Sequence, residues 1–150
     1  MSNNNIKWLL LTIKYLKDIK GRTRLQKIIY LLKEKFDLDI AYNFMPYYYG
    51  PYSSELQNDV DVLSRLNLID VNLHFLDNGV FLYEHQLTER GYKIAEELER
   101  SLQPDQVKKL KEALDKLKKY NTDELIKIAK ENMKQKLSKN KDRFLFLLES

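Results

Sequence analysis

The chain has no cysteine among its 150 residues, which excludes disulfides and thiolate metal sites. Glycine and proline are scarce, at four and three residues, and Gly21, Gly50, Gly79 and Gly91 each stand alone. No glycine-rich loop is therefore present to cradle a phosphate. Histidine occurs only at 74 and 85, whereas zinc asks for three or four ligands. No metal or other cofactor is expected. No Ser-His-acid spacing stands out either, and the chain reads as a protein that is not an enzyme. Apolar runs are short: nothing approaches the roughly 20 residues of a membrane span, and FLFLL at 144–148 is the last of them. The opening MSNNNIKWLLLTIKYLK lacks the basic start and small-residue cleavage site of a secretory signal. These absences predict a cytoplasmic protein without a membrane partner.

What is present is charge, unevenly spread. Residues 1–35 carry nine Lys/Arg against two Asp/Glu, residues 36–100 four against twelve, and residues 101–150 thirteen against eight. The net charge of +4 thus hides a basic start, an acidic middle and a basic end. Any phosphate contact is expected from the first two helices or the tail.

Apolar periodicity predicts the elements. Ile6, Leu9, Leu10, Ile13 and Leu16 share a face of a helix over 5–18. Thr23-Arg24-Leu25-Gln26 has capping-box spacing before a second helix with Leu25, Ile28, Ile29, Leu32 and Phe36 inward. Ser54-Glu55-Leu56-Gln57 repeats that spacing before a third helix, with Leu56, Val60, Leu63 and Leu66 inward, and Asn67 suits a left-handed C′ position. VNLHFL and VFLYEHQL flank Asp77-Asn78-Gly79, a hairpin signal of the type I′ kind. A turn centred on Asn78-Gly79 pairs 77 with 80, placing 74 opposite Tyr83 and 72 opposite His85. Both imidazoles then share a face, with Glu84 on the other. They are read as partly buried hairpin histidines. Thr88 caps a fourth helix with Ile94, Ala95 and Leu98 inward.

The expected fold class is mainly α with a small β-hairpin (α+β), a winged helix-turn-helix over 1–103. A helical extension follows over 104–150, with Pro104 in its first turn and a further helix capped by Asn121-Thr122-Asp123-Glu124. Val107, Leu110, Leu114 and Leu117 form a narrow seam, two positions per heptad, that predicts pairing in a homodimer.

RLQKIIYLL (24–32), YYGPYSSEL (48–56), LSRLNLI (63–69) and QLTERGYKIAEEL (86–98), in this order, resemble the YwgA-like proteins and the related Panacea domain of antitoxin and phage-associated proteins. The resemblance covers about residues 7–100. It implies a winged-helix-like fold, a bacterial or archaeal cytoplasmic setting and no known catalytic residues, with antitoxin roles on the Panacea branch.

Two functions follow as expectations. The first is a transcriptional regulator binding double-stranded DNA, with Arg22, Arg24 and Lys27 gripping phosphate and Ser54, Gln57, Asn58 and Arg65 on the third helix facing the bases. Against it, Glu55, Asp59 and Asp61 make that helix acidic, and the hairpin has no lysine or arginine. The second is an antitoxin-like or adaptor module that meets a toxin-like protein without DNA. Its contact residues would be Tyr47, Tyr48, Glu55 and Asp61, set against a basic partner. YNFMPYYYGPYSSEL (42–56) carries five tyrosines. Because Tyr-Gly-Pro-Tyr recurs in the family the chain resembles, the resemblance implies Tyr49 and Tyr52 as plugs of the loop, leaving Tyr47 or Tyr48 outward as a protein hot spot or a base-stacking platform.

Overall fold

The computed structural model describes the backbone over residues 3–149 and side chains over residues 4–140. The side chains of FLFLL lie outside the described residues. Among the described residues the fold is α+β, with six helices and two small antiparallel sheets. In chain order these are α1 (Asn3–Leu16), β1 (Asp18–Lys20), α2 (Arg22–Glu34), β2 (Met45–Tyr47), β3 (Gly50–Tyr52), α3 (Ser54–Arg65), β4 (Ile69–Phe75), β5 (Phe81–Leu87), α4 (Glu89–Arg100), α5 (Pro104–Leu117) and α6 (Thr122–Glu149).

The helix meant to show one apolar stripe, α2, is buried nearly all round. Every residue from Leu25 to Leu32 is buried, including Gln26 and Lys27. A helix covered on every side sits at the centre of its fold, and α2 touches β1, β3, β5, α5 and α6. Trp8 to Ile13 of α1 are likewise buried. Tyr30 of α2 donates to Asn132 of α6 at 2.7 Å, and Lys136 of α6 pairs with Glu34.

β1 is a strand the sequence pattern did not announce. It completes a sheet in the order β1-β5-β4, with Ile19 opposite His85 and His85 opposite Val71. Gly21, at φ 106°, turns the chain and donates to Tyr83 O at 2.8 Å. The turn starts α2 at Arg22, so Thr23 lies inside the first turn and caps nothing. The second capping box slips similarly: Ser53 is the N-cap, accepting from Leu56 N at 3.2 Å. Asn67 does take the left-handed conformation, at φ 61°. Thr88 caps α4 and accepts from Gly91 N at 2.9 Å. Gly91 is needed there because a Cβ would lie 2.0 Å from Leu68 O. The Asn121–Glu124 box closes reciprocally, at 2.9 and 3.1 Å.

The hairpin turn is not type I′. Leu76 N donates to Val80 O at 2.7 Å and Gly79 N to Leu76 O at 3.0 Å. Only Gly79 of the three loop residues has positive φ, at 80°, the pattern of a three-residue loop with a left-handed glycine. The register therefore shifts by one: His74 pairs with Leu82, and His85 with Val71. A one-residue slip exchanges faces, so the histidines lie on opposite sides. His74 is exposed and bonds Glu84 Oε1 at 2.9 Å. His85 is fully buried with Nδ1 3.0 Å from Ile19 O, and burial holds its pKa below the ordinary value despite that bond, with Arg22 adding to the effect.

The seam on α5 closes within its own chain. Leu110, Leu114 and Leu117 are buried in the common core with Leu125 and Ala129 of α6, against α1 and α2. Val107 is half-buried. The expected homodimer contact through these residues is thus corrected: the partner of Leu110, Leu114 and Leu117 is the rest of the fold, and only Val107 of the stripe is still partly open. Leu110→Ala or Leu114→Ala should cost about 2–5 kcal/mol, as for other fully buried leucines. Urea denaturation measures the loss, and sedimentation should show the same mass as the parent chain.

Candidate interaction surface

β2 and β3 form a two-stranded ribbon pairing Met45 with Tyr52 and Tyr47 with Gly50. Buried polar anchors on α2 hold its root. Gln26 Nε2 donates to Ser53 O at 2.9 Å while Ser53 N donates to Gln26 Oε1 at 2.8 Å. Lys27 Nζ donates to Pro51 O at 2.8 Å. Gly50, at φ 98°, lies against Lys27 and α6; a Cβ would sit 3.3 Å from Lys27 Cε and 3.2 Å from Lys130 Cγ.

The tyrosine of this segment that is buried is Tyr42, only 1% exposed, whose hydroxyl donates to Asp59 Oδ2 at 2.6 Å. Burial and the Asp59 bond push its phenol far above the ordinary range. Tyr49, expected as a plug, is 62% exposed, and Tyr52 is half-buried. Tyr47 and Tyr48 both face out, at 65% and 89%, with Met45 beside them at 62%. Adjacent residues of a strand point apart only while the strand lasts, and Tyr48 lies beyond β2 in the tip.

A second apolar face adjoins the first. Val71, Leu73 and Phe75 share one side of the hairpin with His85, Tyr83 and Phe81. Its base lies over the core and its outer part projects past it. Phe75 and Phe81 have ring centroids 6.1 Å apart, and Phe81 and Tyr83 meet edge to face at 6.4 Å. The Arg22 guanidinium stacks 3.9 Å over Tyr83 and also lines a cleft with Tyr47, Tyr48 and Tyr49. Arg22 thus joins ribbon and hairpin into one aromatic surface. On the ribbon's other side Tyr48 and Pro46 border an apolar groove with Met133 and Leu137, rimmed by Lys130 and Lys134.

The residues expected to grip DNA do not assemble. Lys27 is 2% exposed, anchored to Pro51 O and out of reach of a phosphate. Arg22 faces the tyrosines, whereas Arg24 lines a different pocket with Lys17 and Lys20. Two positions apart on a helix are on opposite sides. On α3, Ser54, Asn58 and Arg65 are exposed, but Gln57 donates to Asp61 Oδ1 at 3.0 Å. Asp59, counted among the charges that make this helix acidic, is buried against Tyr42. Glu55 accepts from Asn43 N at 2.9 Å, so the two expected acidic contacts, Glu55 and Asp61, serve local bonds. No three His, Cys, Asp or Glu side chains cluster as metal ligands among the described residues.

The hairpin's aromatic face and the role of Arg22 were missed. The alternation Phe81-x-Tyr83-x-His85 carried the signal, but the shifted register concealed what lay opposite each ring.

The chain is similar to the uncharacterized protein YwgA of Bacillus subtilis (strain 168), with 37% identity over 75 residues, 49% of this chain and 43% of YwgA. It therefore spans less than half of that relative's length. The likeness supports a YwgA-like relationship. No protein-family profile matches the chain. Among the described residues no helix is long and apolar enough to cross a membrane.

Burial, with Lys130 adding to it, lowers the Lys27 amine from 10.5 to about 8. An unfolded lysine keeps its proton to about 10.4, so between these values the unfolded chain binds more protons and stability rises with pH. The burial penalty is therefore full below about 8 and relieved as pH climbs to the unfolded value. Lys27→Met removes the titration while keeping length. The unfolding free energy of the parent chain relative to this variant should increase from neutral pH to pH about 10, measured by urea denaturation at each pH.

Proposed function

We propose that the protein is a non-catalytic binding module that docks a protein partner on the surface made by the tyrosine ribbon, Arg22 and the aromatic face of the hairpin. The observation that carries this reading is exposure: four large side chains, Met45, Tyr47, Tyr48 and Tyr49, are each more than 60% exposed on a ribbon whose root is rigidly hydrogen-bonded. Tyrosine and arginine are the residue types most enriched where binding energy concentrates, and a contact surface ordered in advance loses less entropy on association. The charge beside the ribbon is positive, from Arg22, Lys130 and Lys134, and the carboxylates of Asp70 and Glu84 belong to the hairpin face opposite Phe75, Phe81 and Tyr83. The partner is therefore an acidic protein surface presenting an apolar anchor, not the basic one expected from Glu55 and Asp61. An antitoxin-like or adaptor role fits such a module.

Duplex DNA binding by a winged-helix regulator is the second reading. Exposed Asn58 and Arg65 on α3 favour it. The hairpin opposes it: residues 69–87 contain Asp70, Asp77 and Glu84 but no lysine or arginine, and Leu73, Phe75, Leu76, Val80 and Phe81 stand exposed there. A wing that follows a phosphate backbone needs cations.

A photo-crosslinking amino acid at position 48 should trap the partner in cells, and the purified pair then gives an affinity. Tyr47→Ser with Tyr48→Ser should weaken it by about 30-fold or more, the scale of a hot-spot loss of about 2 kcal/mol, with unchanged circular dichroism. Low-salt binding of duplex DNA that depends on Asn58 and Arg65 and ignores the tyrosines would overturn this reading.

A further inference from the structure

A separate pocket lies where the end of α1, β1 and the first turn of α2 meet the end of α5. Its walls are Lys17, Lys20, Arg24 and Lys118, with Asp18, Tyr15 and Leu16, around an open cavity of about 420 Å³. Local geometry forces the cations together. Lys17, at φ 69°, reverses the chain after α1, β1 then carries Lys20 past it, and Arg24 follows in the first turn of α2. Lys118 caps the C-terminal end of α5.

Lys118 has an ordinary explanation, since it pairs with Asp115 at 3.1 Å and sits where a helix end favours a cation. Arg24 has none. It is half-buried, which lowers its pKa by desolvation. It forms no ion pair with any carboxylate among the described residues, nor do Lys17 and Lys20. α2 has no acidic residue in its first turn, so its positive end adds to the field there. A partly desolvated charge without a partner costs stability; an anion in the cavity would offset that cost through charge-assisted hydrogen bonds from the guanidinium fork.

We propose that this pocket binds the phosphoryl groups of a small polyphosphorylated ligand. Lys17, Lys20 and Arg24 stand there without an ion pair among the described residues, Lys118 is shared with Asp115, and the cavity has room for more than one phosphoryl group. The site is independent of the tyrosine surface, because Arg24 and Arg22 leave α2 on opposite sides.

Calorimetric titration of the full chain with pyrophosphate at fixed ionic strength tests the proposal. The expected result is saturable one-to-one binding, weakened about tenfold or more by Arg24→Gln and by Lys20→Gln, a loss of about 1.4 kcal/mol or more. Lys20 is exposed, so its variant stays folded even if the Arg24 variant does not. Tyr47→Ser with Tyr48→Ser should leave the titration unchanged. Absence of saturable binding at millimolar pyrophosphate, or binding indifferent to both variants, would overturn the assignment. A 5′-phosphorylated oligonucleotide that binds through Arg24 and Lys20 where pyrophosphate does not would also overturn it, naming a strand as the source of phosphate.

Discussion

The reciprocal bonding of Gln26 with Ser53 is the constraint on which the rest of the surface depends. One side-chain amide meets both backbone groups of one residue, at 2.9 and 2.8 Å, as a neighbouring strand would. Ser53 is also the residue that caps α3. The exit of the ribbon and the entry of the helix are thus fixed by one contact on α2. Lys27, one residue on, holds the carbonyl of Pro51. A buried polar group left unpaired costs about 1–3 kcal/mol, so these polar side chains can sit inside a central helix only because the ribbon's root satisfies them. Moving the root would leave Gln26 and Lys27 buried without these partners.

That rigidity explains how the tip can spend its apolar area outward. A loop this long must pack on itself or on something else, and the resemblance of its Tyr-Gly-Pro-Tyr core to the YwgA-like proteins implied Tyr49 and Tyr52 as the plugs. Here Tyr42, bonded to Asp59, is the tyrosine that goes inside, and Gly50 lets the ribbon press on Lys27 and α6. With its base already supported, the tip gains nothing by collapsing. The hairpin face is analogous: its base is tied to the core through His85 and Ile19, and its outer half extends the same apolar side beyond the body. Large apolar faces left open on a supported scaffold mark sites of interaction.

Helix positions, the Asn67 turn, the Thr88 cap and the helical C-terminal segment were legible because each rests on local chemistry repeated over several residues. The misreadings share another cause: each needed a partner far along the chain. Gln26 looks like the end of a capping box until Ser53 stands beside it. The α5 stripe looks like a dimer seam because periodicity states that a helix has a partner and is silent on which. β1 is three residues long, too short for alternation to show. The hairpin register turned on whether Asn78 adopts positive φ, and Gly79 alone does so. Of the candidate surface, the outward Tyr47 and Tyr48 were legible, whereas the stacking of Arg22 on Tyr83 was not.

Charge shows the same dependence on geometry. The basic first 35 residues read as one phosphate-binding patch, yet the fold divides them three ways. Arg22 stacks on Tyr83 beside the tyrosines, Lys27 is consumed as a structural donor, and Arg24 joins Lys17 and Lys20 in the corner pocket. The division follows from the helical period, since residues 22 and 24 diverge while 27 turns inward. A summed charge therefore says little about what the segment binds. Stacked on a ring, a guanidinium contributes area and direction to an aromatic surface; grouped with lysines in a concave, partly desolvated corner, it contributes field. Two chemically different surfaces thus arise from one basic stretch because the helix bearing both arginines is buried between them.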